Sequence, residues 1–74
     1  MLEVVTMKEI DAIFEVTDAL GIHRESLVIP LGPAVPGRVL RLPSGKMEVT
    51  VDAARPIEAW VKELPALIAA AQRA

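Results

Sequence analysis

The chain contains no cysteine, so it can form neither a disulfide bond nor a metal site built on thiolates. It also has no asparagine and no tyrosine, and it has a single histidine, His23. The aromatic side chains are limited to Phe14 and Trp60, which leaves no series of rings on which nucleic-acid bases could stack. Because the residue types that carry most catalysis are scarce, the sequence predicts a protein that is not an enzyme and uses no cofactor.

Long apolar runs are missing as well. The longest reach from residue 27 to 36 and from 64 to 71, far below the roughly 20 residues that a transmembrane helix needs. Glu3 stands where a signal peptide would carry basic residues, so we expect a cytoplasmic protein that does not enter a membrane. The scarcity of Asn, Gln and Cys beside six prolines is typical of a thermophile, although a GC-rich genome would produce the same composition.

Apolar residues, in contrast, are abundant. They make up 53% of the 74 residues, and the mean hydropathy is +0.43. We expect one domain, residues 1–74, and a domain of this size hides only about 60% of the surface that its unfolded chain exposes. Apolar surface that such a small core cannot hide predicts self-association, as a homodimer, or binding to another protein. The composition therefore favours a small, non-enzymatic interaction module.

The first predicted helix has clear signals at both of its ends. Thr6 and Glu9 have the spacing of a capping box, in which the side chain of each residue bonds to the backbone of the other. Apolar residues then recur with a helical period from Ile10 to Leu20. Gly21 fits the left-handed position that commonly follows a helix. The pattern predicts a helix that begins after Thr6 and ends before Gly21.

A hairpin is predicted in the middle of the chain. A two-residue turn at Ser-Gly, residues 44–45, would make Leu40 face Val49. The same register places Arg41 opposite Glu48, so that opposite charges pair across the strands. The pairing of apolar with apolar and of basic with acidic residues is the reason for preferring this register.

The remaining segments complete the predicted fold. Residues 25–31 contain a Leu-Val-Ile run that reads as a strand, and Pro30 confines it to the edge of a sheet. Pro56 opens a second helix, which carries an apolar stripe until Pro65 kinks or breaks it. The predicted fold class is α+β, in the order α-β-β-β-α. A small antiparallel sheet is covered on one face by the two helices.

This order of elements over residues 6–73 resembles the double-stranded-RNA-binding domain. Gly32 and Pro33 match the start of that family's Gly-Pro-x-His element. Val35 stands in the place of the histidine, and residues 53–58 carry a single Arg where the family has a basic cluster. The resemblance therefore implies the layout of the fold and not the contacts to RNA.

Two surfaces are candidates for self-association. The second helix carries Leu64, Leu67 and Ile68, which we interpret as the apolar surface of a dimer. Trp60, on the same helix, is expected to anchor the core instead. Alternatively, the strand Leu27–Ile29 pairs edge to edge with a second copy of the chain.

A weak nucleic-acid-binding accessory protein is the alternative function. Arg38, Arg41 and Lys46 belong to the predicted hairpin, where they could meet phosphate groups. Glu48, expected opposite Arg41, neutralises part of this charge. The sequence therefore favours a protein partner over nucleic acid.

An enzyme centred on His23 is the third hypothesis. His23 lies close in sequence to Glu25 and Ser26, which are the residue types of a nucleophilic triad. No glycine-rich loop that could form an oxyanion hole follows Ser26, and one histidine with scattered carboxylates lacks the spacing of metal ligands. We expect His23 to be a polar loop residue, with no catalytic and no metal site.

Overall fold

The computed structural model describes residues 1–73, which contain three α-helices and a three-stranded sheet. In chain order the elements are helix α1 (Met7–Ala19), a single-turn 3-10 helix (Arg24–Ser26), strands β1 (Leu27–Val28), β2 (Arg38–Arg41) and β3 (Met47–Thr50), and helices α2 (Ile57–Trp60) and α3 (Leu64–Arg73). The predicted α+β class is confirmed.

Helix α1 has the termini predicted from the sequence. The Glu9 carboxylate accepts hydrogen bonds from the Thr6 backbone N–H at 2.7 Å and from the Thr6 hydroxyl at 2.6 Å. These bonds hold the pKa of Glu9 below its usual value, and the bond from the hydroxyl has the larger effect. After the helix, Gly21 adopts a φ of 75°, and the Ile22 N–H returns to the Thr17 carbonyl at 2.9 Å. The capping box and the glycine stop are both present.

The sheet is mixed, and the prediction of an antiparallel sheet was wrong. Its strand order is β1-β3-β2, with β1 parallel to β3 and β2 antiparallel to β3. The connector, residues 29–37, explains the order, because it passes the end of β3 and brings β2 to the other side of that strand. Along this path Ala34 forms a parallel bridge with Asp52.

The hairpin is present, but its register differs by one residue from the predicted one. Leu40 pairs with Glu48, and Arg41 pairs with Met47. The loop has three residues instead of two, since the Leu42 N–H donates to the Lys46 carbonyl at 2.7 Å. A glycine with a φ of 91° ends this loop, in the conformation of a type I turn followed by a bulge.

The core lies on one face of the sheet, which we call the core face. Val49 of β3 is fully buried there, together with Ile13 of α1 and Trp60 of α2. Because side chains alternate along a strand, Leu40 and Glu48 point to the opposite face. The folded chain exposes 4565 Å², close to the roughly 4,500 Å² expected of a monomer of its mass.

The second half of the chain forms two helices rather than one. Helix α2 ends at Trp60, and α3 begins at Leu64 after the turn at residues 61–63. The first helical bond of α3 runs from the Leu67 N–H to the Glu63 carbonyl at 3.1 Å. Pro65 thus lies in the first turn of α3. Backbone N–H groups in a first turn have no partner within the helix, so the helix loses no hydrogen bond at this proline.

Besides the backbone bonds at Ala34, one side chain ties the connector to the chain after β3, in an arrangement that we call the Asp52 clasp. Asp52 is buried, and its carboxylate accepts hydrogen bonds from the Gly37 N–H at 3.1 Å and from the Ala54 N–H at 2.8 Å. These bonds hold the pKa of Asp52 below its usual value, and the bond from Gly37 has the larger effect. The clasp fixes the start of β2 relative to the end of β3.

Candidate functional site

The apolar stripe of α3 lies in the core. Leu64 is 0% exposed and Ile68 is 2% exposed, while Leu67 is half-buried and packs against the core. Helix α3 turns this stripe toward β2, with the buried Trp60 nearby in the same cluster. The side chains of Leu64 and Ile68 are therefore not on the surface of the folded chain, where the interpretation as a dimer contact would need them.

The three basic residues of the hairpin are exposed but do not share one face. Arg41 pairs with Met47 and so belongs to the core face, at its edge. Arg38, three residues earlier, points to the opposite face. Thr50 is the partner of Arg38, and Lys46 lies four positions before Thr50. Lys46 and Arg38 are therefore about 13 Å apart along the strands. The hairpin therefore does not form a compact basic patch.

Large apolar side chains are exposed at several places on the surface. They are Met1, Val4, Met7, Leu20, Val28, Leu31, Val35 and Leu40. Half of this set belongs to two segments, residues 1–5 and 31–35, which are far apart in sequence. The distribution is thus uneven, and its densest part lies at one end of the molecule.

Backbone hydrogen bonds bring these two segments together beyond the end of β3. The Val5 N–H donates to the Leu31 carbonyl at 2.8 Å. Leu2 donates to the Ala53 carbonyl at 2.9 Å, and the Ala53 N–H donates to the Ala34 carbonyl at 2.8 Å. Both segments are thereby tied to the same short stretch of chain.

Apart from Met1, the large apolar side chains exposed on these segments are those of Val4, Leu31 and Val35, which we call the N-terminal patch. Their exposed fractions are 52%, 58% and 60%. Sequence reasoning missed this patch because its members follow no helical or strand period. The only available signal was the apolar run from residue 27 to 36.

A shallow groove of about 460 Å³ lies at the other end of the sheet, beside the hairpin loop. His23 and Ser26 line it, together with Arg41 and Gln72, and the buried Met47 contributes to its floor. None of the described residues that line it is acidic. The groove unites His23 with Ser26, but it lacks the third member of a triad.

A second groove, of about 590 Å³ and mostly apolar, runs between α1 and the start of α3. Small side chains of α1 face Val61 and Pro65 across it. Glu15 and Glu58 stand on its rim, and Lys8 forms an ion pair with Glu58 at 3.1 Å. This groove therefore combines an apolar floor with an acidic border.

Within residues 1–73, no three histidine or acidic side chains are grouped to hold a metal ion. In the same part of the chain, no helix has the length and apolar character needed to cross a membrane. Comparison with protein-family models, with curated proteins and with solved structures found no match to this chain.

Proposed function

We propose that the protein is a non-enzymatic interaction module that self-associates as a homodimer through the N-terminal patch. The observation that carries the proposal is the grouping of Val4, Leu31 and Val35, each more than half exposed, on two segments joined by hydrogen bonds. Water contact with these side chains is unfavourable, and a partner surface removes it. Association itself is then the function, without a chemical step.

A second copy of the chain is the partner that the charges favour for this patch. In a two-fold dimer the same surface meets itself, so charges of one sign on a small patch come close to the same charges of the second copy. The side chains of the N-terminal patch are uncharged, and such a contact brings no repulsion. The groove between α1 and α3 would instead bring Glu15, and Glu58 with its ion-pair partner Lys8, close to the same residues of the second copy, and the repulsion between the Glu15 carboxylates disfavours its use in a homodimer.

The size of the patch defines its role in the interface. A standard interface covers about 800 Å² per partner, far more than three side chains provide. The patch therefore serves as the apolar centre, and residues around it, such as Glu3, form a polar rim. Association of this kind depends little on salt, because it rests on apolar burial.

Leu31→Gln is expected to convert the dimer to a monomer. The substitution removes two buried leucines from a symmetric interface, each contributing about 1.5–3 kcal/mol, and so raises the dissociation constant at least about a hundredfold. Size-exclusion chromatography with light scattering measures the change, at low and at high salt. Leu40→Gln is the matched control, since Leu40 is also exposed but lies on the sheet, away from the patch. A wild-type monomer, or a Leu31→Gln variant that remains dimeric, would contradict the proposal.

Weak binding of nucleic acid is the second candidate. It is supported by Arg38, Arg41 and Lys46, which are exposed and form no ion pair with any other residue in 1–73. Each phosphate contact adds about 0.9 to the slope of log affinity against log salt, so three residues give a slope of at most about 3. Fluorescence anisotropy with labelled duplex RNA should show this slope, and the double variant Arg38→Ala, Arg41→Ala should lose the binding. Binding that survives both substitutions would exclude the hairpin.

Several expectations from the composition stay predictions within this proposal. They are a cytoplasmic location, a thermophilic source and a second, unrelated protein partner. The two-layer arrangement is supported by the core, in which residues of all three helices meet one face of the sheet.

A further inference from the structure

The groove beside the hairpin loop collects hydrogen-bond donors that have no other role in the fold. Arg41 forms no ion pair with residues 1–73. His23 and Ser26 lie three residues apart at a single 3-10 turn, and the Ser26 N–H bonds to the His23 carbonyl at 2.9 Å. The turn presents both side chains to the same groove as Arg41. Guanidinium, imidazole and hydroxyl groups thus converge from two separate parts of the chain.

The floor and size of the groove suit a small molecule. Ile22 and Met47 provide apolar surface beneath the donors. The volume, about 460 Å³, falls in the range of pockets that bind small ligands. Such pockets combine apolar surface with a few polar groups that fix orientation, and in this groove the polar share of the accessible lining is slightly the larger.

The charge around the groove is positive. None of its described lining residues is acidic, and Glu25, between His23 and Ser26 in sequence, does not line it. The ends of α1 and α3 reach the groove, and the carbonyl groups at a helix end carry partial negative charge. Arg73 lies in the last turn of α3 and offsets this charge there, whereas the last turn of α1 has no basic residue. Among the described lining residues, Arg41 carries the one full charge, and it is positive.

We propose that this groove binds a small organic anion, a carboxylate or phosphate group attached to a short apolar tail. Arg41 pairs with the oxyanion in the two-pronged geometry that guanidinium forms with such groups. His23 and Ser26 add hydrogen bonds to the oxygens, and the tail lies on Ile22 and Met47. The site is independent of the proposed dimer, because it lies at the end of the sheet opposite the N-terminal patch.

The test is a titration of the full chain, followed by amide chemical shifts, with hexanoate, hexyl phosphate and acetate as probes. The ratio of hexanoate to hexyl phosphate affinity assigns the anion to a carboxylate or a phosphate. Hexanoate has four more methylenes than acetate and is expected to bind about tenfold more tightly, since burial of two of the four in a shallow groove is worth about that much. Shifts should be centred on groove residues such as Gly21, Ile22 and Gln72.

Arg41→Gln is expected to weaken binding of the better probe by about tenfold or more, as loss of a charged hydrogen bond does. Arg38→Gln is the matched control, because Arg38 lies on the same strand but points to the opposite face, and it should change affinity less than about twofold. Ser26→Ala should give a smaller loss than Arg41→Gln. Three results would overturn the site: no shift at the groove with either six-carbon probe, unchanged binding in Arg41→Gln, or an equal loss in Arg38→Gln.

Discussion

Gly37→Ala is expected to destabilise the protein by about 3 kcal/mol, at the upper end of the range for an added methyl group in a packed site. A Cβ on Gly37 would lie 2.6 Å from the backbone nitrogen of Asp52 and 2.8 Å from its Cα. Backbone atoms cannot swing aside as a flexible side chain can, so the connector has to move away from the chain after β3. That movement also lengthens the bond from the Gly37 N–H to the Asp52 carboxylate.

The loss is large for so small a domain, whose total stability is expected to be about 4–11 kcal/mol. Thermal unfolding followed by circular dichroism should show a melting temperature lower by about 10–25 °C. Gly32→Ala is the matched control in the same connector, because nothing lies within 4 Å of its added Cβ. It should leave the melting temperature unchanged or raise it slightly. Equal melting temperatures for the two variants would show that the close approach at Gly37 is not tight in solution.

The glycines show which part of the fold a sequence can predict. Gly21 was assigned correctly from its position after a helical stripe, which is a local signal. The importance of Gly37 was not predictable in that way, since its close neighbour is 15 positions further along the chain. No feature of the sequence around Gly37 indicates which backbone will pack against it. Local conformation was predictable here, and close approach was not.

The sheet shows the same division between local and distant information. The turn residues predicted the hairpin correctly, but they allow loops of two or three residues, and the choice shifts the register by one. The opposite charges of Arg41 and Glu48 favoured the two-residue loop and its register, which is wrong. In the structure Arg41 instead reaches the edge of the core face, where it lines the groove. The pairing of β1 with β3 rather than β2 depends on the path of the connector, which propensities do not specify.

The candidate surfaces were harder still to predict. A helical stripe such as the one through Leu64 and Ile68 has the same period whether it faces the core or a partner. In a chain with only three helices within residues 1–73, this apolar stripe is needed to cover the core face of the sheet. Conversely, the N-terminal patch and the groove beside the hairpin loop each join segments that are distant in sequence, so neither has a local sequence pattern.

Asp52→Asn is expected to destabilise the protein by about 2–3 kcal/mol at neutral pH. The Asp52 carboxylate accepts one hydrogen bond on each oxygen, from Gly37 and from Ala54. An asparagine has only one acceptor oxygen, and its NH2 group would face the other backbone N–H. One buried donor is then left without a partner, and the bond that remains is no longer strengthened by charge.

The effect should depend on pH in a defined direction. The hydrogen bonds lower the pKa of Asp52 in the folded state, so its ionised form stabilises the fold above the pKa of an unfolded aspartate, about 3.9. That contribution is constant near neutral pH and is lost as the pH falls below this value through the lower, folded pKa. The stability difference between wild type and Asp52→Asn should therefore be constant from neutral pH down to about pH 5 and shrink in stronger acid.

Urea unfolding at one fixed protein concentration, repeated from neutral to acidic pH, measures this difference, because self-association then contributes alike to both proteins. Asp18→Asn is the control: its pKa is also lowered, by Arg24, but this ion pair is exposed and screened by solvent. Its unfolding curves should stay close to those of the wild type at every pH. A stability difference for Asp52→Asn that does not shrink in acid would mean that the charge of Asp52 does not hold the clasp, and that the shape of its side chain alone positions Gly37.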